Sequence, residues 1–265
     1  LAQVVTMMLR QGSLFFGRSA CRGLVTAETK RKVKRFYDKT SVEQLNGCWQ
    51  VQLDRKSVKT PRGSLLELPS RALAEAVAGE WDAQEEHVKP LTMPLTTIGC
   101  TTLDLVRPEP EKCVQRMLPY LATDTVCFAS AEERLAGWER EEWVPLRKWF
   151  EERHGVELAV SDSLFAPAHP PGTLAAVEAG LQSRDEWALC TLEIATNTAK
   201  SLVVATALLD REGVTAEDAL RWALLEENFQ IERWGLVEGD HDVAHSDMLL
   251  WFRALQDFGR LYREP

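Results

Sequence analysis

The chain has 265 residues, of which 45% are hydrophobic and 27% are charged, a composition typical of a soluble globular protein with a sizeable core. Residues 1–35 carry a net charge of +7, and residues 36–265 carry −16. Because phosphate binding needs a basic surface, the acidic main part argues against a nucleic-acid partner. It favours a basic protein partner, or solubility alone. The apolar run 201–209 is less than half of the roughly 20 residues that a membrane-spanning helix needs, so we predict no membrane span.

The first 27 residues contain no acidic residue and carry spaced arginines and serines. This pattern is typical of a mitochondrial transit peptide. We therefore predict that residues 1–30 are a transit peptide and that the mature protein lies in the mitochondrial matrix. The six cysteines are scattered without metal-site spacing, which suits buried, reduced thiols in a reducing compartment.

The segment 36–122 is predicted to form an N-terminal α+β domain. In CWQVQLD (48–54), Trp49 and alternate residues are apolar, which indicates a half-buried strand. Short strands near Val58 and at 65–68 then extend an antiparallel sheet.

Two helices are predicted to cover this sheet. The first follows Ser70, an expected N-cap, and places Leu73, Val77 and Trp81 on one face. The second begins near Pro94. We interpret Trp81 and Trp49 as structural core residues of this domain.

The segment 123–265 is predicted to form a mostly helical C-terminal domain. The fold class is thus α+β: a small N-terminal antiparallel sheet covered by helices, then a helical domain. Short strands are expected at 124–128 and 156–160. From residue 109 onward, helices are predicted at about 109–119, 131–153, 172–181, 184–211, 215–236 and 242–262.

The sequence contains no dinucleotide-binding, P-loop or nucleophile-elbow motif. His241 and His245 have the i, i+4 spacing of a zinc helix, but Asp242 stands where the zinc-protease motif has glutamate. We therefore predict no catalytic residue, no metal, no cofactor and no small-molecule substrate.

The stretch LLEENFQIERWG (224–235) contains the strongest candidate site. If 215–236 is one helix, an apolar stripe at 4-3-4-3 spacing includes one carboxylate. Its members are Leu220, Leu224, Glu227, Ile231 and Trp234.

Glu226 then faces another side, with Trp222 and Gln230. A carboxylate in an apolar stripe needs a partner. An arginine or a helix N-terminus of the same domain would satisfy Glu227, and so would a group of a bound protein. We predict that Glu227, Glu226, Gln230 and Trp234 bind a partner, and that Leu224 and Ile231 are structural.

Six ordered blocks of the sequence resemble the family of ATP synthase F1 complex assembly factor 2, a mitochondrial assembly chaperone. The resemblance extends from Lys34 to about residue 245. The blocks are RFYDKTSV (35–42), VQLDRKSVKTP (51–61), LPSRALAEAVAGEWDAQ (68–84), MPLTT (93–97), TDTVCF (123–128) and LLEENFQIERWG (224–235).

The resemblance implies a two-domain α+β chaperone that binds the newly imported α subunit of F1-ATPase before α pairs with β. It implies neither an enzyme nor a nucleotide cofactor. Glu227 matches the second glutamate of the family's Glu-Glu block, and Trp81 matches the tryptophan of its Glu-Trp-Asp block. Two alternatives stay open: a permanent accessory subunit of a mitochondrial complex, and a hydrolase that uses Glu226 and Glu227.

Overall fold

The computed structural model describes residues 33–235 and 241–264, without the side chains of 241–243. The predicted transit peptide, 1–30, lies outside the described residues. Among those described, no helix is both long and apolar enough to span a bilayer. The chain divides into two compact units. The first extends to Glu109 and includes the segment from Asp257 onward, and the second is Pro110–Gln256. The sequence placed the corresponding boundary near residue 122.

The first unit contains an antiparallel sheet. Its strands are β1 (Thr40–Leu45), β2 (Cys48–Leu53), β3 (Lys56–Ser57) and β4 (Glu67–Leu68). β2 is central and pairs with each of the other three.

Tight turns fix the register of this sheet. Asn46 and Gly47 connect β1 to β2, with φ values of 52° and 82°. Asp54 and Arg55 connect β2 to β3, also with positive φ. Positive φ at both central residues matches the right-handed twist of the flanking strands, and Asn-Gly adopts it readily. The turn chemistry therefore sets which β2 side chains face the core.

Helix α1 (Arg71–Asp82) packs against the sheet, and α2 (Pro94–Thr101), which continues as a π-helical segment, Thr102–Val106, packs against α1. The Ser70 side chain caps α1 as predicted, accepting from the Leu73 N–H at 3.1 Å. α2 approaches the sheet closely at Gly99, where an added Cβ would lie 3.3 Å from Leu66 Cδ1. The Glu80 carboxylate of α1 accepts from the Leu95 and Thr96 N–H groups at the start of α2, and this joins the helices.

The second unit is helical, which confirms the predicted fold class. Its helices are α3 (Pro110–Ala122), α4 (Glu133–His154), α5 (Thr173–Gln182), α6 (Glu186–Ala199), α7 (Leu202–Asp210), α8 (Ala216–Ala223), α9 (Leu225–Trp234) and most of α10 (His241–Leu261). α6 and α7 supply much of the core, because nearly every side chain of both is buried.

The predicted single helix at 184–211 is wrong, because two helices occupy it. Lys200 adopts a left-handed conformation with φ 57°, which ends α6. The Ser201 side chain then accepts from the Val204 N–H at 3.0 Å and starts α7. A left-handed residue commonly ends a helix and a serine N-cap begins one, so the two adjacent residues separate α6 from α7.

Two predicted strands in the second unit are also wrong. Thr125–Cys127 forms a 3₁₀ turn, which begins where the buried Asp124 side chain accepts from the Val126 N–H. Residues 156–160 form no strand, and the only pairing nearby is an isolated bridge between Phe128 and Ser161. In these segments, side chains accept hydrogen bonds from backbone N–H groups, so these groups do not need a neighbouring strand as a partner.

Candidate partner-binding surface

The predicted helix 215–236 is broken at Leu224. α8 ends at Ala223 and α9 begins at Leu225, with Leu224 between them at φ −109° and ψ 19°. The capping box expected from Thr215 and Asp218 is present at the start of α8. The buried side chains of this segment do not follow the predicted stripe, because most of them lie on the opposite face of the helical wheel.

The buried positions of α8 and α9 differ from the predicted stripe. α9 buries Leu225 and Phe229. Trp222, predicted to face outward, is only 7% exposed. Trp234, predicted to lie in the core stripe, is 70% exposed. Leu224 is buried and Ile231 is half-buried.

The four predicted partner-binding residues all lie on α9. Glu226, Gln230 and Trp234 are exposed, and Glu227 is half-buried. Arg233 lies over the Trp234 ring, 5.2 Å from its centroid, so a cation already covers part of the aromatic surface. The helix thus presents carboxylates, an amide and an indole to solvent.

Glu227 has a partner within the chain. Its Oε1 lies 3.1 Å from His245 Nε2 on α10, and both side chains are partly exposed. The partner is a histidine, whereas the sequence suggested an arginine or a helix N-terminus. His245 also belongs to the histidine pair considered for zinc. No group of three or more potential metal-ligating side chains lies together within the described residues.

Glu226 lies beside a second carboxylate. Glu226 is an exposed residue, but its carboxyl group is partly buried, which raises the pKa of the carboxyl above its usual value. The nearby charge of Glu139 raises this pKa further. Glu139 is a buried residue of α4 that accepts a hydrogen bond from the Ser130 N–H at 2.9 Å. A cationic group placed here would relieve the repulsion between the two carboxylates.

The contact between α4 and α9 contains two aromatic side chains. Trp138 of α4 and Phe229 of α9 meet edge to face, with ring centroids 5.4 Å apart. Arg134 lies over the Phe229 ring at 5.6 Å and pairs with Glu232 at 3.0 Å. This contact fixes the orientation of α9 relative to α4.

A cleft of ≈ 310 Å³ opens between α4, α8 and α9. Its lining residues are Trp138, Glu141, Glu142, Arg221, Leu225 and Asn228. The sequence alone did not predict this cleft. The spacing of Trp138, Glu141 and Glu142 is i, i+3, i+4, which places them on one helix face, but only the tertiary structure shows what they face.

The two tryptophans interpreted as structural lie in the first unit. Trp81 is 2% exposed and meets the Tyr37 ring at 5.8 Å between centroids. Trp49 is half-buried on β2, and Arg71 lies 5.8 Å from its ring centroid. Both therefore belong to the sheet-and-helix unit.

Comparisons with known proteins agree with this architecture. The family model described as ATP12 chaperone protein matches residues 34–151, which cover the sheet unit, α3 and most of α4. Protein atp12, mitochondrial, of Schizosaccharomyces pombe is 28% identical over 228 residues, covering 81% of this chain and 78% of that protein. Protein ATP12, mitochondrial, of Saccharomyces cerevisiae is 27% identical, covering 83% of each.

Two solved structures share the fold. The crystal structure of Atp12 from Paracoccus denitrificans has a TM-score of 0.81 and 28% identity, covering 87% of this chain and 99% of that one. The Atu1473 protein from Agrobacterium tumefaciens has a TM-score of 0.82 and 26% identity, covering 96% and 99%.

These matches place the chain's similarity in the chaperone class. More particularly, residues 34–151 match the ATP12 chaperone family, and the relatives named mitochondrial Atp12 are 27–28% identical over most of the chain.

Proposed function

We propose that this protein is an assembly chaperone of mitochondrial ATP synthase. It binds the newly imported α subunit of F1-ATPase in the matrix and holds it until α pairs with β. The observation that carries the proposal is the similarity to relatives named mitochondrial Atp12 over most of the chain. The resemblance of the six sequence blocks to the F1 assembly-factor family supplies the client.

The physical task explains why such a protein is needed. An isolated α subunit exposes apolar surface that it later buries against β, and exposed apolar surface aggregates. A chaperone must cover that surface firmly and then release it. A mixed surface suits this, with an aromatic anchor inside a polar rim.

The surface of α9 has this mixed character and supports the proposal. Trp234 is the aromatic anchor, and Glu226, Glu227 and Gln230 supply polar and acidic groups around it. The second unit, 110–256, contains 26 acidic and 13 basic residues, a net charge of −13. Its acidity favours a client segment with basic residues.

The test is retention of the α subunit from mitochondrial matrix extract at low salt, with the bound proteins identified by mass spectrometry. We expect free α subunit to be retained, and this chain to be absent from finished ATP synthase. A chain that stays stoichiometric in the purified complex would instead be a permanent subunit. Failure to retain α would contradict the proposed client.

A further inference from the structure

We propose that the cleft between α4, α8 and α9 receives an arginine side chain from a segment of the bound client. This inference rests on the proposed function for the identity of the client. The chemistry of the cleft can be tested separately with peptides.

Arginine already occupies one end of the contact between α4 and α9. Arg134 stacks on Phe229 at 5.6 Å and pairs with Glu232 at 3.0 Å. The site therefore combines an aromatic face with a carboxylate, and both interactions suit a planar guanidinium.

A second arginine, Arg221, is one of the residues that line the cleft. Arg221 Nε donates to Glu142 Oε1 at 3.0 Å, and Arg221 also pairs with Asp218 at 2.9 Å. The second oxygen of Glu142 accepts from the Trp222 Nε1–H at 2.8 Å. Both oxygens of Glu142 thus accept hydrogen bonds from side chains of α8, and these bonds join α8 to α4.

Among the described residues, one aromatic ring and one carboxylate that line the cleft have no cation partner. Trp138 and Glu141 are one turn apart on α4 and line the cleft opposite Leu225 and Asn228. Within the described part of the chain, the exposed Glu141 carboxylate makes no ion pair or hydrogen bond. The combination found at Arg134 recurs here with the arginine missing.

The shape and charge of the cleft select the occupant. Its volume of ≈ 310 Å³ is ample for one long side chain. The aliphatic stem of an arginine would lie against Leu225, and its guanidinium would stack on Trp138 and pair with Glu141. Lysine carries the charge but not the planar fork, so it can neither stack nor pair in a bidentate manner.

The cleft is tested with the full chain carrying ¹⁵N-labelled tryptophan. A blocked Ala-Leu-Arg-Leu-Ala peptide is titrated while the indole N–H signals are followed by NMR. Trp138→Phe identifies the relevant signal by its loss. Matched peptides carry citrulline, which has the shape of arginine without its charge, or lysine.

We expect the Trp138 signal to shift saturably with the arginine peptide. We expect the citrulline peptide to bind about tenfold more weakly, because charge-assisted hydrogen bonds are about twice as strong as neutral ones. Lysine should lie between them. Glu141→Gln should weaken arginine binding by a similar factor. Glu152→Gln should not, since this exposed glutamate lies three turns further along α4.

Three results would overturn the inference: no shift of the Trp138 signal, equal binding of the arginine and citrulline peptides, or equal binding by Glu141→Gln. A shift on concentrating the protein without peptide would also contradict it, because the occupant would be a second copy of this chain. If the peptide result holds but α is not retained from extract, the proposed client fails and the cleft chemistry stands. If α is retained but the arginine peptide does not bind in the cleft, only this inference fails.

Discussion

Glu227 on α9 and His245 on α10 lie 3.1 Å apart, from Oε1 to Nε2. This contact joins the helix with the predicted partner-binding residues to the last helix of the chain. A substitution at Glu227 therefore changes the proposed client contact and an internal contact together. Separating the two roles requires both a charge-reversing and a shape-preserving variant.

Glu227→Lys is predicted to abolish α-subunit binding, and Glu227→Gln to weaken it modestly. Lysine places a cation beside His245 and reverses the charge offered to a basic client. Glutamine keeps the shape and can accept from a histidine N–H. Binding by each folded variant is measured with melting in parallel, and Glu226→Gln on the same helix should weaken binding less than Glu227→Lys. Wild-type affinity for Glu227→Lys would remove this residue from the recognition surface.

Trp234→Ala is predicted to weaken α binding at least tenfold without changing stability. The indole is 70% exposed, so its loss removes little core packing, whereas an aromatic anchor at an interface contributes roughly 2 kcal/mol or more. Phe165→Ala is a matched control, because Phe165 is 81% exposed in the same unit but belongs to a loop and not to α9. Equal effects of the two substitutions would show that Trp234 is not an anchor.

Trp81→Ala is predicted to cost about 3–5 kcal/mol of unfolding free energy, the usual loss for a buried large aromatic. Trp81 is almost completely buried against Tyr37, while Trp49 is half-buried. Trp49→Ala should therefore cost clearly less. Urea unfolding of both variants is the measurement. If the two costs are equal, Trp81 does not have the structural role assigned to it.

His154 is predicted to make the protein acid-sensitive. Burial, together with Arg153 and Arg184, lowers its pKa to about 4. Its Nε2 has no hydrogen-bond acceptor within the described residues, and its ring stacks on Phe150 at 4.3 Å. The folded state thus favours the neutral ring, and stability is lost as pH falls from the unfolded pKa of roughly 6.5 toward the folded value.

The expected loss from His154 alone is about 2 kcal/mol between pH 7.5 and pH 5, from the size of that pKa difference. His154→Phe keeps an aromatic ring but cannot titrate. Urea unfolding at both pH values should therefore show a smaller loss for His154→Phe than for the wild type. The comparison uses the change with pH, so a constant packing cost of phenylalanine does not affect it. Parallel pH profiles would show that His154 does not couple folding to pH.

The first unit could largely be predicted from the sequence because its signals are local. Alternating apolar residues indicate β2, Ser70 marks the start of α1, and the spacing of Leu73, Val77 and Trp81 gives its buried face. Each signal spans fewer than a dozen residues and needs no knowledge of distant contacts.

The candidate surface was predicted less well, because its sequence offers two apolar helix faces and gives no local sign of the boundary at Leu224. Leu224 is a good helix former, and nothing local marks it as a boundary. Trp222, Leu225 and Phe229 are buried, and their i, i+3, i+7 spacing is that of one helix face, opposite to the predicted stripe. Tertiary packing decides which of the two faces is buried, and it also creates the cleft beside Trp138.

The most direct test of the account is whether the purified protein keeps isolated F1 α subunit soluble. Denatured α subunit is diluted into buffer, and light scattering is followed with and without an equimolar amount of this chain. We predict that scattering falls to near background with wild-type chain, that Glu227→Lys restores it, and that added β subunit releases α into an αβ complex. Unchanged aggregation of α in the presence of folded wild-type chain would contradict the account.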